Sequence, residues 1–78
     1  MDKQRRNNNK NVMYEWIRSE ICEAEKKGIH VNVCGVRYSS DDSQELYKVL
    51  EDAVYMEDYL CDEEGRIIQI NFDKINQL

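Results

Sequence analysis

The sequence predicts an α+β domain in which two amphipathic helices pack on a small antiparallel sheet, in the order α-β-(β)-α-β-β. Three observations carry this. Met13, Trp16, Ile17, Ile21 and Ala24 recur at three- and four-residue steps. Leu46, Val49, Leu50, Ala53 and Val54 repeat the pattern later in the chain. Ile29, Val31 and Val33 alternate with His30, Asn32 and Cys34, as a half-buried strand requires. Helices on one face of a sheet are the economical way to bury these faces together.

Each element follows from local chemistry. Residues 1–10 contain no apolar side chain after Met1 and are expected to form a disordered basic tail, leaving 11–78 as a single domain. The first helix is predicted over residues 11–27, with Asn11 or a preceding Asn as N-cap. Lys26 and Lys27 suit its negative end, and Gly28 suits the left-handed position that stops it. After strand 29–34, Gly35 turns the chain and Val36-Arg37-Tyr38 is expected to return as a short antiparallel partner. Asp42 with Glu45 has the form of a capping box for a second helix over 42–55. Asp62-Glu63-Glu64-Gly65 then reads as the turn of a β-hairpin, with Leu60 opposite Ile68 and Met56, Ile70 and Phe72 on the same face. That register brings Asp58 onto the apolar face. Either the strand starts after Asp58, or its carboxylate accepts hydrogen bonds there.

Composition narrows function. A chain of 78 residues buries roughly 60% of its unfolded surface, which leaves little room for a deep substrate pocket. The polar start and the lack of an apolar run of about 20 residues lead to the expectation of a cytoplasmic protein with no membrane contact. Cys22, Cys34 and Cys61 are odd in number and widely spaced, so they are expected to be reduced, small buried hydrophobes.

No constellation for chemistry assembles. His30, the single histidine, lies about 13 Å along an extended strand from Cys34, too far to share one zinc ion with it. A His30–Cys34 nucleophile pair fails on the same distance, so only Cys22 or Cys61 could reach His30 through the fold, and the isolated Gly28, Gly35 and Gly65 make no phosphate loop. The expectation is a protein with no catalytic residues, no metal and no cofactor.

Charge is the most informative feature. Residues 1–10 carry a net of +3, from Lys3, Arg5, Arg6 and Lys10 against Asp2. Residues 41–64 carry ten acids against Lys48 alone, a net of −9. Asp41, Asp42, Glu45, Glu51, Asp52, Glu63 and Glu64 are the candidate partner-binding residues, expected to form one negative face, with Tyr55 beside them. Five tyrosines in so short a chain suit an interface. The expected function is a small acidic module that blocks a basic, nucleic-acid-binding surface of a partner protein. The alternative is a nucleic-acid-binding accessory protein using Lys3, Arg5, Arg6 and Lys10. A homodimer is compatible with either reading.

The segments Tyr55-Met56-Glu57-Asp58-Tyr59, Asp62-Glu63-Glu64-Gly65-Arg66-Ile67 and Asn71-Phe72-Asp73-Lys74-Ile75 resemble the endings of small uncharacterised proteins of bacterial phages and mobile elements. In size and charge the chain is also similar to phage-encoded inhibitors of host defence, including anti-CRISPR proteins. That likeness implies an inhibitor and carries over no individual residue.

Overall fold

The structure, a computed structural model, describes residues 8–75. Helix α1 (Asn8–Lys26) leads into strands β1 (His30–Val33) and β2 (Val36–Tyr38). A 3-10 turn (Ser40–Asp42) and helix α2 (Ser43–Val49) follow, then strands β3 (Tyr55–Cys61) and β4 (Ile67–Lys74). The chain is α+β as expected, but the sheet is mixed. Its strand order is β2-β1-β4-β3, and β4 runs parallel to β1. The expectation of a purely antiparallel sheet fails because β4 inserts beside β1 instead of standing outside it. The central pair brings Val31 opposite Ile70 and Val33 opposite Phe72, and all four are buried.

The stripe of α1 packs onto these residues. Ile17, Ile21 and Ala24 are buried, and Met13 and Trp16 pack at the margin of the same core. The helix begins at Asn8, three residues before the expected start, so Asn11 is internal and Lys10 is helical. Lys10 sets its ammonium 4.3 Å from the centre of the Tyr47 ring on α2. The end of α1 is as expected. Gly28 is left-handed at φ 73°, and the Ile29 and Gly28 N–H groups donate to the Ala24 and Glu25 carbonyls at 2.9 and 3.2 Å.

The predicted return at Gly35 is present as a two-residue turn with Val33 opposite Val36. Both turn residues have positive φ, Cys34 at 49° and Gly35 at 86°, the mark of the tight hairpin turn that matches strand twist.

The second helix is shorter than its pattern. It ends at Val49, and Leu50 is already extended. The Glu51 N–H donates to the Tyr55 hydroxyl at 3.0 Å instead of continuing the helical ladder. Leu46 and Leu50 are buried, whereas Val49 and Val54 are exposed. Its start is also displaced. The capping box joins Ser39 and Asp42 one turn earlier, and the Asp42 side chain caps nothing in α2.

The β3–β4 turn forms as read, with Gly65 at φ 84° and Cys61 opposite Ile67. A bulge then intervenes. Leu60 pairs with Gln69, so Ile68 is the extra residue and every later pair shifts by one. The expected Leu60–Ile68 pair is therefore absent. Tyr55, Glu57 and Tyr59 join Ile70 and Phe72 on the helix-covered face, while Met56, Asp58 and Leu60 turn to the open one. Asp58 is exposed, and Glu57 is the carboxylate that faces the core side. The cysteines also depart from expectation: Cys22, Cys34 and Cys61 are all exposed free thiols.

Candidate functional site

The acidic residues of the predicted site divide into three groups. Asp41, Asp42 and Glu45 lie at the start of α2, beside β2 at one edge of the sheet. Glu51 and Asp52 follow the far end of that helix. Glu63 and Glu64 occupy the tip of the hairpin that includes β3, the opposite edge strand. The strand order thus separates acids that the sequence suggested would share one face.

Their electrostatic states differ. Asp42 is half-buried, and its carboxylate accepts from the Ser39 N–H at 2.9 Å and the Ser39 hydroxyl at 3.1 Å. It is committed to the turn. Asp41 is exposed. Nearby, Glu25 of α1 accepts from the Ser40 N–H at 2.9 Å and the Ser40 hydroxyl at 2.8 Å. These two bonds hold its carboxyl below the usual range. Glu25 thereby adds a fixed negative charge to this end of the sheet. Sequence reasoning missed it because its partner is 15 residues away.

Three of the other acids carry local ion pairs. Glu45 lies 3.8 Å from Lys48, Glu51 is 2.7 Å from Lys74 and Glu64 is 2.8 Å from Arg66. Such solvent-exposed pairs contribute little and exchange readily with a competing cation. Asp52 and Glu63 are exposed and form no ion pair among the described residues. At the hairpin, Asp62 accepts from the N–H groups of Glu64 and Arg66, each at 2.9 Å. The Arg66 backbone bond is the main cause of its lowered pKa. This carboxylate shapes the loop that presents Glu63 and Glu64.

Tyr55 does not belong to a surface. It is 5% exposed, and its hydroxyl is engaged with the Glu51 N–H. Its place in the core overturns its assignment to the partner-binding set. Of the basic tail, Lys3, Arg5 and Arg6 lie outside the described residues, and Lys10 is part of α1.

One group went unread in the sequence: Glu57 beside Glu20, with Tyr59 two residues on along the same face of the strand. Burial, then the charge of Glu20, raises the Glu57 pKa. The Tyr59 phenol is raised in turn, chiefly by the charge of Glu57. The two-residue alternation Tyr55, Glu57, Tyr59 carries the signal, but it becomes legible only once the bulge at Ile68 is known.

Among the described residues, no three His, Cys, Asp or Glu side chains converge to hold a metal ion. No helix among them is long and apolar enough to cross a membrane. Comparison with protein-family models, with curated proteins and with solved structures finds no match to this chain.

Proposed function

We propose that this chain is a small acidic protein-binding module that seats on a basic surface of a partner, of the kind that otherwise holds nucleic acid. The observation that carries this reading is the exposure of Asp41, Glu45, Asp52, Glu63 and Glu64 around a domain whose segment 41–64 has a net charge of −9. Acids spread over both edges of a sheet project a long-range negative field. Such a field steers a basic partner inward and competes with phosphate for the same cations. The partner-facing residues are Asp41, Glu45, Glu51, Asp52, Glu63 and Glu64. Glu45, Glu51 and Glu64 trade their internal cations for those of the partner.

The reading is tested by competition. Retention of the captured partner on immobilised DNA or RNA is measured while this chain is added. Loss of retention at equimolar chain, and retention kept when an Asp41→Lys, Asp52→Lys, Glu63→Lys variant replaces it, is the expected result. Nucleic-acid retention that is indifferent to the chain overturns the blocking function.

A further inference from the structure

The helices cover one face of the sheet and leave the other open. One row of side chains crosses that open face from edge to edge. Arg37 on β2 stands opposite Asn32 on β1, Asn32 beside Asn71 on β4, and Asn71 opposite Asp58 on β3. Residues paired across a ladder point to the same side of the sheet, so all four share this face. The row begins with a cation, ends with an anion and holds two amides between them. Arg37 and Asp58 are exposed, and neither makes an ion pair among the described residues. Three strand spacings, roughly 14 Å, keep them apart within one chain. The amides are unfinished too. Asn71 Oδ1 accepts from Gln69 Nε2 at 2.8 Å, leaving its own Nδ2 to donate elsewhere. Asn32 Oδ1 has no hydrogen-bond partner, although Asn71 is its neighbour in the row. An acceptor in that state lacks the donor that compensates burial.

We propose that this face pairs with the same face of a second copy, about a twofold axis that runs along the strands between β1 and β4. That rotation keeps the strand directions aligned, as in sheets stacked about 10 Å apart. It also reverses the row. Arg37 of each copy meets Asp58 of the other, and Asn32 of each meets Asn71 of the other. A turn of the half-buried Asn32 amide brings Oδ1 to the Asn71 Nδ2 of the second copy. The other in-plane twofold, across the strands, stacks Asp58 on Asp58 and is opposed by like charge. Met56 and Leu60 flank Asp58 on the same face of β3, 53% and 49% exposed, and supply apolar contact. Nucleic acid suits the face poorly. The row holds no aromatic ring on which a base stacks, and Asp58 and Asp73 repel phosphate. The face is small against the roughly 800 Å² per partner of a stable interface, so the dimer is weak, with a Kd of about 10–500 μM. The inference goes beyond the proposed basic partner and does not depend on it, since Asp41, Asp52 and Glu63 lie outside the row.

The test is sedimentation equilibrium of the full chain from about 10 μM to about 1 mM. Reductant is present throughout, because Cys22, Cys34 and Cys61 are exposed free thiols. The mass is expected to rise toward that of a dimer. Arg37→Asp and Asp58→Arg each place like charges at both ends of the row and weaken association by about tenfold or more. An equal mixture of the two variants associates again, because every end then joins an acid to an arginine. Both substitutions in one chain restore association for the same reason. A parent chain that stays monomeric at about 1 mM overturns the proposal. So does a single variant that associates as well as the parent, or a mixture of the two that stays monomeric. Amide shifts on dilution of the parent need no variant, so they stand even where a substitution disturbs the fold. They are expected to move at Asn32, Arg37, Asp58 and Asn71 and to stay fixed at Arg18 on α1. Shifts confined to the helices reject this face as the contact.

Discussion

The Trp16 indole on α1 meets the Phe72 ring on β4 edge-on, with centroids 5.0 Å apart and planes at 87°. This contact joins the helix layer to the central parallel strand pair, and Phe72 has no exposed surface. Phe72→Ala is expected to cost about 3–5 kcal/mol through lost burial and a residual cavity. A domain of this length holds only about 4–12 kcal/mol in total. Urea unfolding followed by Trp16 fluorescence should therefore show a midpoint far below that of the parent chain. A cooperative transition within about 1 kcal/mol of the parent would contradict the placement of Phe72 at the centre of the core.

Cys34 occupies a left-handed position, φ 49°, that Asn tolerates better than Cys. Its side chain is exposed, so replacement disturbs no packing. Cys34→Asn should stabilise by up to about 1 kcal/mol, read as a thermal midpoint raised by about 4–8 °C. An unchanged or lower midpoint would show that the turn carries no strain.

Glu57 gives a pH dependence of defined sign. Its folded pKa lies above its ordinary value of 4.5, so the folded chain takes up this proton more readily than the unfolded chain. The resulting stabilisation is full below the unfolded value and is lost as pH rises through the folded one. At neutral pH the ionised group is a liability. Glu57→Gln should raise the midpoint at pH 7, with the gain shrinking toward pH 4.5. A variant less stable than the parent at pH 7 would mean that the carboxylate is satisfied in the free chain.

Glu25 behaves oppositely. Its two bonds to Ser40 lower its pKa, so its contribution is present above about 4.5 and is lost as pH falls through the lower folded value. In an amide-shift titration, Ser40 should report this protonation event below the ordinary carboxylate range. Glu25→Gln should abolish that inflection. A Ser40 titration unaltered by the substitution would separate the 3-10 turn from α1.

Much of the fold was legible because periodicity reports burial. Ile17, Ile21 and Ala24 announced one face of α1, Val31 and Val33 the inward side of β1, and Gly28, Gly35 and Gly65 three of the four left-handed positions among the described residues. What failed was non-local. No local pattern tells that β4 runs beside β1, because that pairing joins residues some forty positions apart. The bulge at Ile68 inverted the expected faces of β3, exchanging exposed Asp58 for Glu57. The same limit applies to the site. Acid content was visible, whereas the separation of Asp41 from Glu63, the burial of Tyr55 and the Glu20–Glu57 encounter depend on strand order.

The most direct measurement is affinity capture from nuclease-treated lysate at moderate salt, quantified by mass spectrometry. It compares the parent chain with an Asp41→Lys, Asp52→Lys, Glu63→Lys variant of unchanged circular dichroism. The account predicts a stoichiometric nucleic-acid-binding protein on the parent chain, released by high salt and reduced about tenfold or more on the variant. Equal capture by both chains, or an eluate that contains only DNA or RNA when nuclease is omitted, would contradict it.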